Sequence, residues 1–415
     1  MRRNSMAITA LFSGRATWVD SFQYRDFRLL WGSSLLYSLG MGMEWVALGW
    51  LVFEMTDSPF MVGISISARM APLFFLGILS GAVADLVDRR LFLRVVTGGV
   101  GIVAGLLALI LLTDVANVWY VIALTLGTGA FFAFTMTTRQ AYTYDIVGPK
   151  HALNGLSLMG LSEKFGSVIG AVVGGLLIAG VGIGEQYIAV AIFYALSALM
   201  LLATRDVGQA ALTQRESVLT NLTEYVRILR QNRTLRFLLF LTAATEIFGF
   251  SHQTVLPVFA RDVLGVGAVG LGVMTAFRNA GGVLGAVLMA NLGNFKHKGK
   301  LLFAIAAGFG LGQMVFSLAG NIFFTVAVLT FINICAMGLD TLYKTLMQEN
   351  VSNEQRGRAM GTWVFGLGFA PVGHMSVGAI AGAMGAPVAL LINGSVLAFI
   401  SLTSAIGMQR IRRLP

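Results

Sequence analysis

Eight ionisable residues stand inside apolar stretches of the chain: Glu44, Arg69, Glu163, Lys164, Glu246, Arg278, Asp340 and Lys344. An isolated charge at bilayer depth costs about 3 kcal/mol or more, so such a group is neutral, paired or in contact with water, and its default reading is functional. The carboxyls Glu44, Glu246, Asp340 and Glu163 are the candidates to take up and release protons, with Arg69, Arg278, Lys164 and Lys344 as charge partners. Glu44 with Arg69, and Glu246 with Arg278, occupy consecutive apolar runs in two separate parts of the chain, which predicts one pair in each part. Glu44 and Glu246 are expected to carry proton coupling. For the arginines, a buried bridge that never titrates is the alternative.

The elements that must position these groups are membrane helices. Of 415 residues, 56% are hydrophobic and only 12% charged, against about 25% charged in soluble domains. Apolar runs such as Ser58 to Ala84, Val95 to Thr113, Val115 to Thr138 and Gln186 to Thr204 each suffice to cross a hydrocarbon core about 30 Å thick as helix. Splitting Leu301 to Leu339 at Ala319-Gly320-Asn321, and Ala359 to Gln409 at Gly385-Ala386-Pro387, gives twelve spans in an all-α membrane protein.

The net charge of +10 follows membrane sidedness and does not call for nucleic acid. Basic residues crowd alternate loops: Arg25 and Arg28 before span 1, Arg89, Arg90 and Arg94 after span 2, Lys150 after span 4, Lys296, Lys298 and Lys300 after span 8, Arg356 and Arg358 after span 10. The opposite loops carry acids and one base, Arg261. This asymmetry places both termini in the cytoplasm of a multi-pass protein of the cell (inner) membrane. The polar tract Arg205 to Arg236 divides the chain into 1–204, a linker 205–236 and 237–415; Val218, Leu219, Leu222, Tyr225, Val226 and Leu229 recur there at the spacing of an amphipathic surface helix.

Enzyme chemistry finds no support. No glycine-rich stretch leads into Gly-Lys-Ser/Thr for a nucleotide, no Ser/His/Asp arrangement stands out, and the four histidines have no acid or cysteine at ligand spacing. The expectation is no metal and no cofactor. Cys335, the single cysteine, excludes an intrachain disulfide. Met6 to Phe12 is too short for the core of a cleaved signal, so span 1 is expected to serve as the insertion signal.

The ten residues Gly81 to Arg90, GAVADLVDRR, separate two spans. They resemble the loop between the second and third helices of the major facilitator superfamily through Gly81, Asp85, Arg89 and Arg90, with Leu86 and Asp88 departing from its pattern. Asp-Arg-Arg at that place, and Val46 to Pro59, resemble the branch that holds the enterobactin exporter and drug-efflux relatives. The resemblance implies a gate in which Asp85 caps a helix of the other half, as suits a carboxylate at a positive helix end, and Arg89 or Arg90 pairs with an acid, Asp145, at the end of span 4. It implies two six-helix halves related as parallel repeats, with spans 1, 4, 7 and 10 lining a central cavity.

Gly166, Gly170, Gly174 and Gly175 resemble the fifth-helix motif of the superfamily's antiporters, with Ala171 replacing its proline. The resemblance implies that this face packs against the eighth helix; a plain tight helix contact is the alternative. Arg139 lies near the end of span 4, where snorkelling and a substrate role are both open. Cavity candidates by position and character are Tyr37, Trp45, Trp50, Phe248, Phe250, Gln253, Asn333 and Trp363. The function implied is a monomeric secondary transporter, exporting amphipathic small molecules such as drugs or siderophores by alternating access against protons. A lysophospholipid flippase and a metal or metal-chelate exporter are alternatives on the same fold, and a membrane sensor without turnover is the alternative of another class.

Overall fold

The computed structural model describes residues 17–205, 229–292, 295–351, 356–412 and 414. Most of the expected amphipathic linker helix, residues 206–228, lies outside them. Eleven helices among the described residues are long and apolar enough to span a membrane, and the one over Val118–Gly180 holds two spans. Gly148 breaks it, with φ of 69°, ahead of Pro149; a left-handed residue followed by one without an N–H cannot continue a helix. Twelve spans result: α1 Arg25–Thr56, α2 Pro59–Leu86, α3 Arg89–Leu112, α4 118–147, α5 149–180, α6 Ile183–Leu202, α7 Arg233–Val263, α8 Gly267–Leu292, α9 Lys298–Phe316, α10 Ile322–Glu349, α11 Met360–Met384 and α12 Ala386–Gly407.

Short polar side chains start the helices. Ser58, Asp88, Asn117, Asn232 and Asn321 each accept a first-turn amide, at the heads of α2, α3, α4, α7 and α10. These bonds satisfy donors that have no partner within the helix. Large apolar side chains stay exposed around the bundle, among them Phe75, Ile102, Leu318, Phe323, Phe399 and Ile406, as a lipid-facing belt requires.

Helices α1–α6 pack chiefly on one another, as do α7–α12, and the contact between the halves is made mostly by two pairs, α5 with α8 and α2 with α11. Both pairs meet closely at the end opposite the α6–α7 linker. A Cβ on Gly175 would stand 2.6 Å from the Ala268 carbonyl, one on Gly272 2.6 Å from that of Ala171, and one on Gly378 2.6 Å from that of Pro59. Such approach needs glycine. Across the same end Arg261 pairs with Asp57 at 2.6 Å and lies over the Phe53 ring at 3.9 Å.

Gly378→Leu should therefore prevent this closure. In a Cys335→Ala background, Gln253→Cys should then react about tenfold faster with an impermeant maleimide applied opposite the linker, the response of an equilibrium tipped by about 1.4 kcal/mol; unchanged labelling would reject the closure.

Candidate functional site

In the first half, α1 and α2 carry Glu44 and Arg69 to the same depth. Arg69 donates to both oxygens of Glu44, at 2.5 and 3.2 Å, and Tyr194 of α6 donates to the same carboxylate at 2.6 Å. Trp45 lies beneath the guanidinium at 5.0 Å. With Arg69 5% and Glu44 2% exposed, the pair is sealed. Arg139 is equally deep and does not snorkel: its guanidinium stacks on Tyr37 at 4.4 Å, and its Nε and Nη2 have no partner among the described residues.

The second half differs. Arg278 donates to Gln253 Oε1 at 2.5 Å and to Asn279 Oδ1 at 3.2 Å. The expected Glu246–Arg278 pair is absent, because Arg278, eleven residues into α8, lies level with Gln253, ten residues short of the end of α7. Gln253 and Arg278 are 25 residues apart, as are Glu44 and Arg69. Beyond Glu246, α7 leaves α-helical geometry at Gly249 for a 3-10 segment over Phe250–Val255.

A cavity of about 270 Å³ separates the halves. Lys164, Glu246, Phe250, Gln253, Arg278, Asn279, Asn333, Asp340 and His374 line it. This volume lies just below the range of about 300–1,000 Å³ usual for small-molecule pockets. Glu246 makes neither ion pair nor hydrogen bond among the described residues, whereas Asp340 is held by Lys344 at 2.7 Å and by the Trp363 indole at 2.9 Å. Lys344 also lies 4.0 Å over the Trp363 ring. His374 shares a 2.8 Å hydrogen bond with Thr254.

Several candidates fall elsewhere. Tyr37, Trp50 and Phe248 pack into the apolar cores, Trp45 lines small clefts beside Arg69, and half-buried Glu163 is outside the cavity lining although Lys164 is in it. One residue turns about 100° around a helix. The same rotation corrects the glycine face. Gly166, Gly170 and Gly174 lie against Ser38, Leu39 and Met43 of α1, and only Gly175, next along, touches α8.

At the linker end, Arg89 donates to both oxygens of Asp145, at 2.8 and 3.0 Å. Arg90 instead donates to the Arg205 carbonyl, and Asp88 caps α3. The side chains of Gly81 and Asp85 lie outside the described set. Lys298 pairs with Glu349 at the corresponding place in the second half, at 2.5 Å.

The family model described as transmembrane secretion effector matches residues 16–412. The chain belongs to this family. The transmembrane secretion effectors are major facilitator transporters and not enzymes. Curated relatives include the staphyloferrin A transporter of Staphylococcus aureus, 23% identical over 359 residues that cover 84% of this chain and 87% of the relative. The multidrug efflux pump Tap of Mycolicibacterium fortuitum is 25% identical, covering 85% and 88%. The enterobactin exporter EntS of Shigella flexneri is 24% identical, covering 81% and 80%. Among solved structures, the nucleoside transporter NupG superposes with a TM-score of 0.73 at 18% identity, covering 91% of this chain and 98% of that one. A bacterial homologue of the lysosomal transporter Spinster gives 0.72 at 14%, covering 97% and 100%.

Within this secretion effector three features went unread in the sequence. Tyr194 as the third member of the Glu44 cluster left no signal, since a tyrosine in an apolar span is ordinary packing. The burial of Arg139 depends on how α4 is set in the bundle. Gln253 as the partner of Arg278 did leave one, in the repeated 25-residue spacing.

Removing one partner of a buried ion pair strands the other, at about 3–5 kcal/mol. Glu44→Gln and Arg69→Gln should each lower thermal stability in detergent sharply, and the double variant should recover part of the loss; strictly additive losses would deny the coupling.

Proposed function

We propose that this protein exports amphipathic small molecules of the drug or siderophore kind across the cell membrane by alternating access, coupled to protons moving the other way. The observation that carries the reading is Glu246, a carboxyl without a counter-charge that lines a cavity between two helical halves. An unpaired carboxylate at membrane depth is costly, and proton uptake removes the cost. A cavity that faces each side in turn lets the proton be taken up on one side and released on the other.

The exchanging proton belongs to Glu246 in this reading. Glu44, enclosed by Arg69 and Tyr194, serves as a structural tie. Asp340, already held by Lys344 and Trp363, is a secondary carrier. The moving bodies are residues 1–204 and 237–415, joined by 205–236, and both termini lie in the cytoplasm, consistent with the basic loops at that end. The closed α5–α8 and α2–α11 contacts then leave the cavity facing inward. Arg89 with Asp145 and Lys298 with Glu349 tie the inner ends of each half. One chain forms the whole pathway, so a monomer suffices. The names of the curated relatives, two siderophore transporters and a drug pump, support the substrate class.

Full-length protein in liposomes with an imposed pH gradient should move ethidium, and Glu246→Gln should abolish gradient-driven uptake while keeping ethidium binding. Full gradient-driven transport by Glu246→Gln would refute the coupling; no transport of ethidium or a catecholate siderophore by the unaltered protein would leave a sensor.

A further inference from the structure

The cavity holds two cations with which no carboxylate makes an ion pair among the described residues. Lys164 is exposed into it from the middle of α5 and makes no ion pair or hydrogen bond among the described residues. Arg278 is held by amide oxygens alone, those of Gln253 and Asn279. Asn279 is itself oriented, because its amide nitrogen donates to Ser167 Oγ at 2.7 Å, which turns its oxygen toward the guanidinium. Amides fix the direction of a guanidinium without cancelling its charge.

The first half shows what a closed version of this arrangement looks like. Gln253 and Arg278 stand at one constant displacement from Glu44 and Arg69, 253 less 44 and 278 less 69, and Lys298 stands at the same displacement from Arg89, 298 less 89. At the repeat position where the first half places a carboxylate on its arginine, the second half places an amide. The arginine with the carboxylate is sealed, and the arginine with the amide faces the cavity. Of the cavity acids, Asp340 is occupied by Lys344 and Trp363, which leaves Glu246 against two cations that make no ion pair among the described residues.

We propose that Lys164 and Arg278 form an anion subsite in the cavity, which binds a carboxylate or comparable organic acid group of the transported molecule. Arg278 presents a planar fork that matches a carboxylate, and Lys164 supplies a mobile point charge from the facing half. An anion that touches both draws α5 and α8 together, so its binding reports to the contact on which the two halves turn. The inference rests on the transport reading for its purpose, yet binding can be measured without transport.

The test uses full-length protein in detergent, with citrate as the anionic probe, triethyl citrate as its uncharged counterpart and ethidium as a cation. Citrate should raise the thermal midpoint and triethyl citrate should not. Lys164→Gln should weaken citrate binding about tenfold, the loss of roughly 1.4 kcal/mol, and Lys164→Arg should keep it. Gln253→Glu should close an ion pair on Arg278 and weaken citrate binding at least as much, with no loss of stability in the absence of ligand, so a fold defect in the lysine variant leaves the test intact. No response of the unaltered protein to citrate, equal response to triethyl citrate, or unchanged citrate affinity in Lys164→Gln and Gln253→Glu would each overturn the subsite. Ethidium transport in liposomes without citrate binding would sink the subsite and leave the carrier standing; citrate binding without any transport would do the reverse.

Discussion

A guanidinium held at the centre of a bilayer must find something to face, and the core of this protein is arranged around that demand. Among the described residues, three arginines sit at such depth. Arg69 is answered by a carboxylate, Arg139 by the face of a tyrosine, and Arg278 by two amides. The three solutions leave different residual charge. A carboxylate cancels it, a ring screens it weakly, and an amide leaves it whole. The first half thus ties its arginine to a carboxylate, while the second leaves its arginine charged where the cavity lies, facing Lys164 of the first.

Helix α5 connects the two conditions. Its stripe of Gly166, Gly170 and Gly174 beds against α1 and fixes the helix within its own half. The adjacent stripe of Lys164, Ser167, Ala171 and Gly175 turns toward α8, with the lysine in the cavity, the serine bonded to Asn279 and the two small residues at backbone contact. One helix therefore carries the packing face of its own half, the contact face to the other half and a charged cavity residue within four turns. Because neighbouring residues diverge by about 100°, a single-position slip would exchange these duties.

How much of this was legible follows from what each signal encodes. Span positions could be read because a membrane forces about 20 apolar residues per crossing, and the breaks at Ala319-Gly320-Asn321 and Gly385-Ala386-Pro387 are local chemistry. The partner of Arg89 was legible as well, since Asp145 is the acid at the far end of the next helix. The cavity was legible only in part. Phe250, Gln253 and Asn333 line it, but Tyr37, Trp50 and Phe248 do not, because aromatic character marks packing and lining alike. The Glu246 pairing failed for a sharper reason. Acid was matched with base by charge, although the repeat register pointed seven residues further, 253 less 246, to an uncharged side chain.

The bridge between Asp57 and Arg261 bears on how the two halves are held together at the end opposite the linker. Its members are 79% and 31% exposed, and ion pairs so open to water contribute about 0–1 kcal/mol and weaken further as salt rises. Such a clasp aligns the two lips but holds them only weakly. The hold between the halves at this end therefore comes from the glycine seams beneath, and the ionic strength of the medium that bathes that face alters it little.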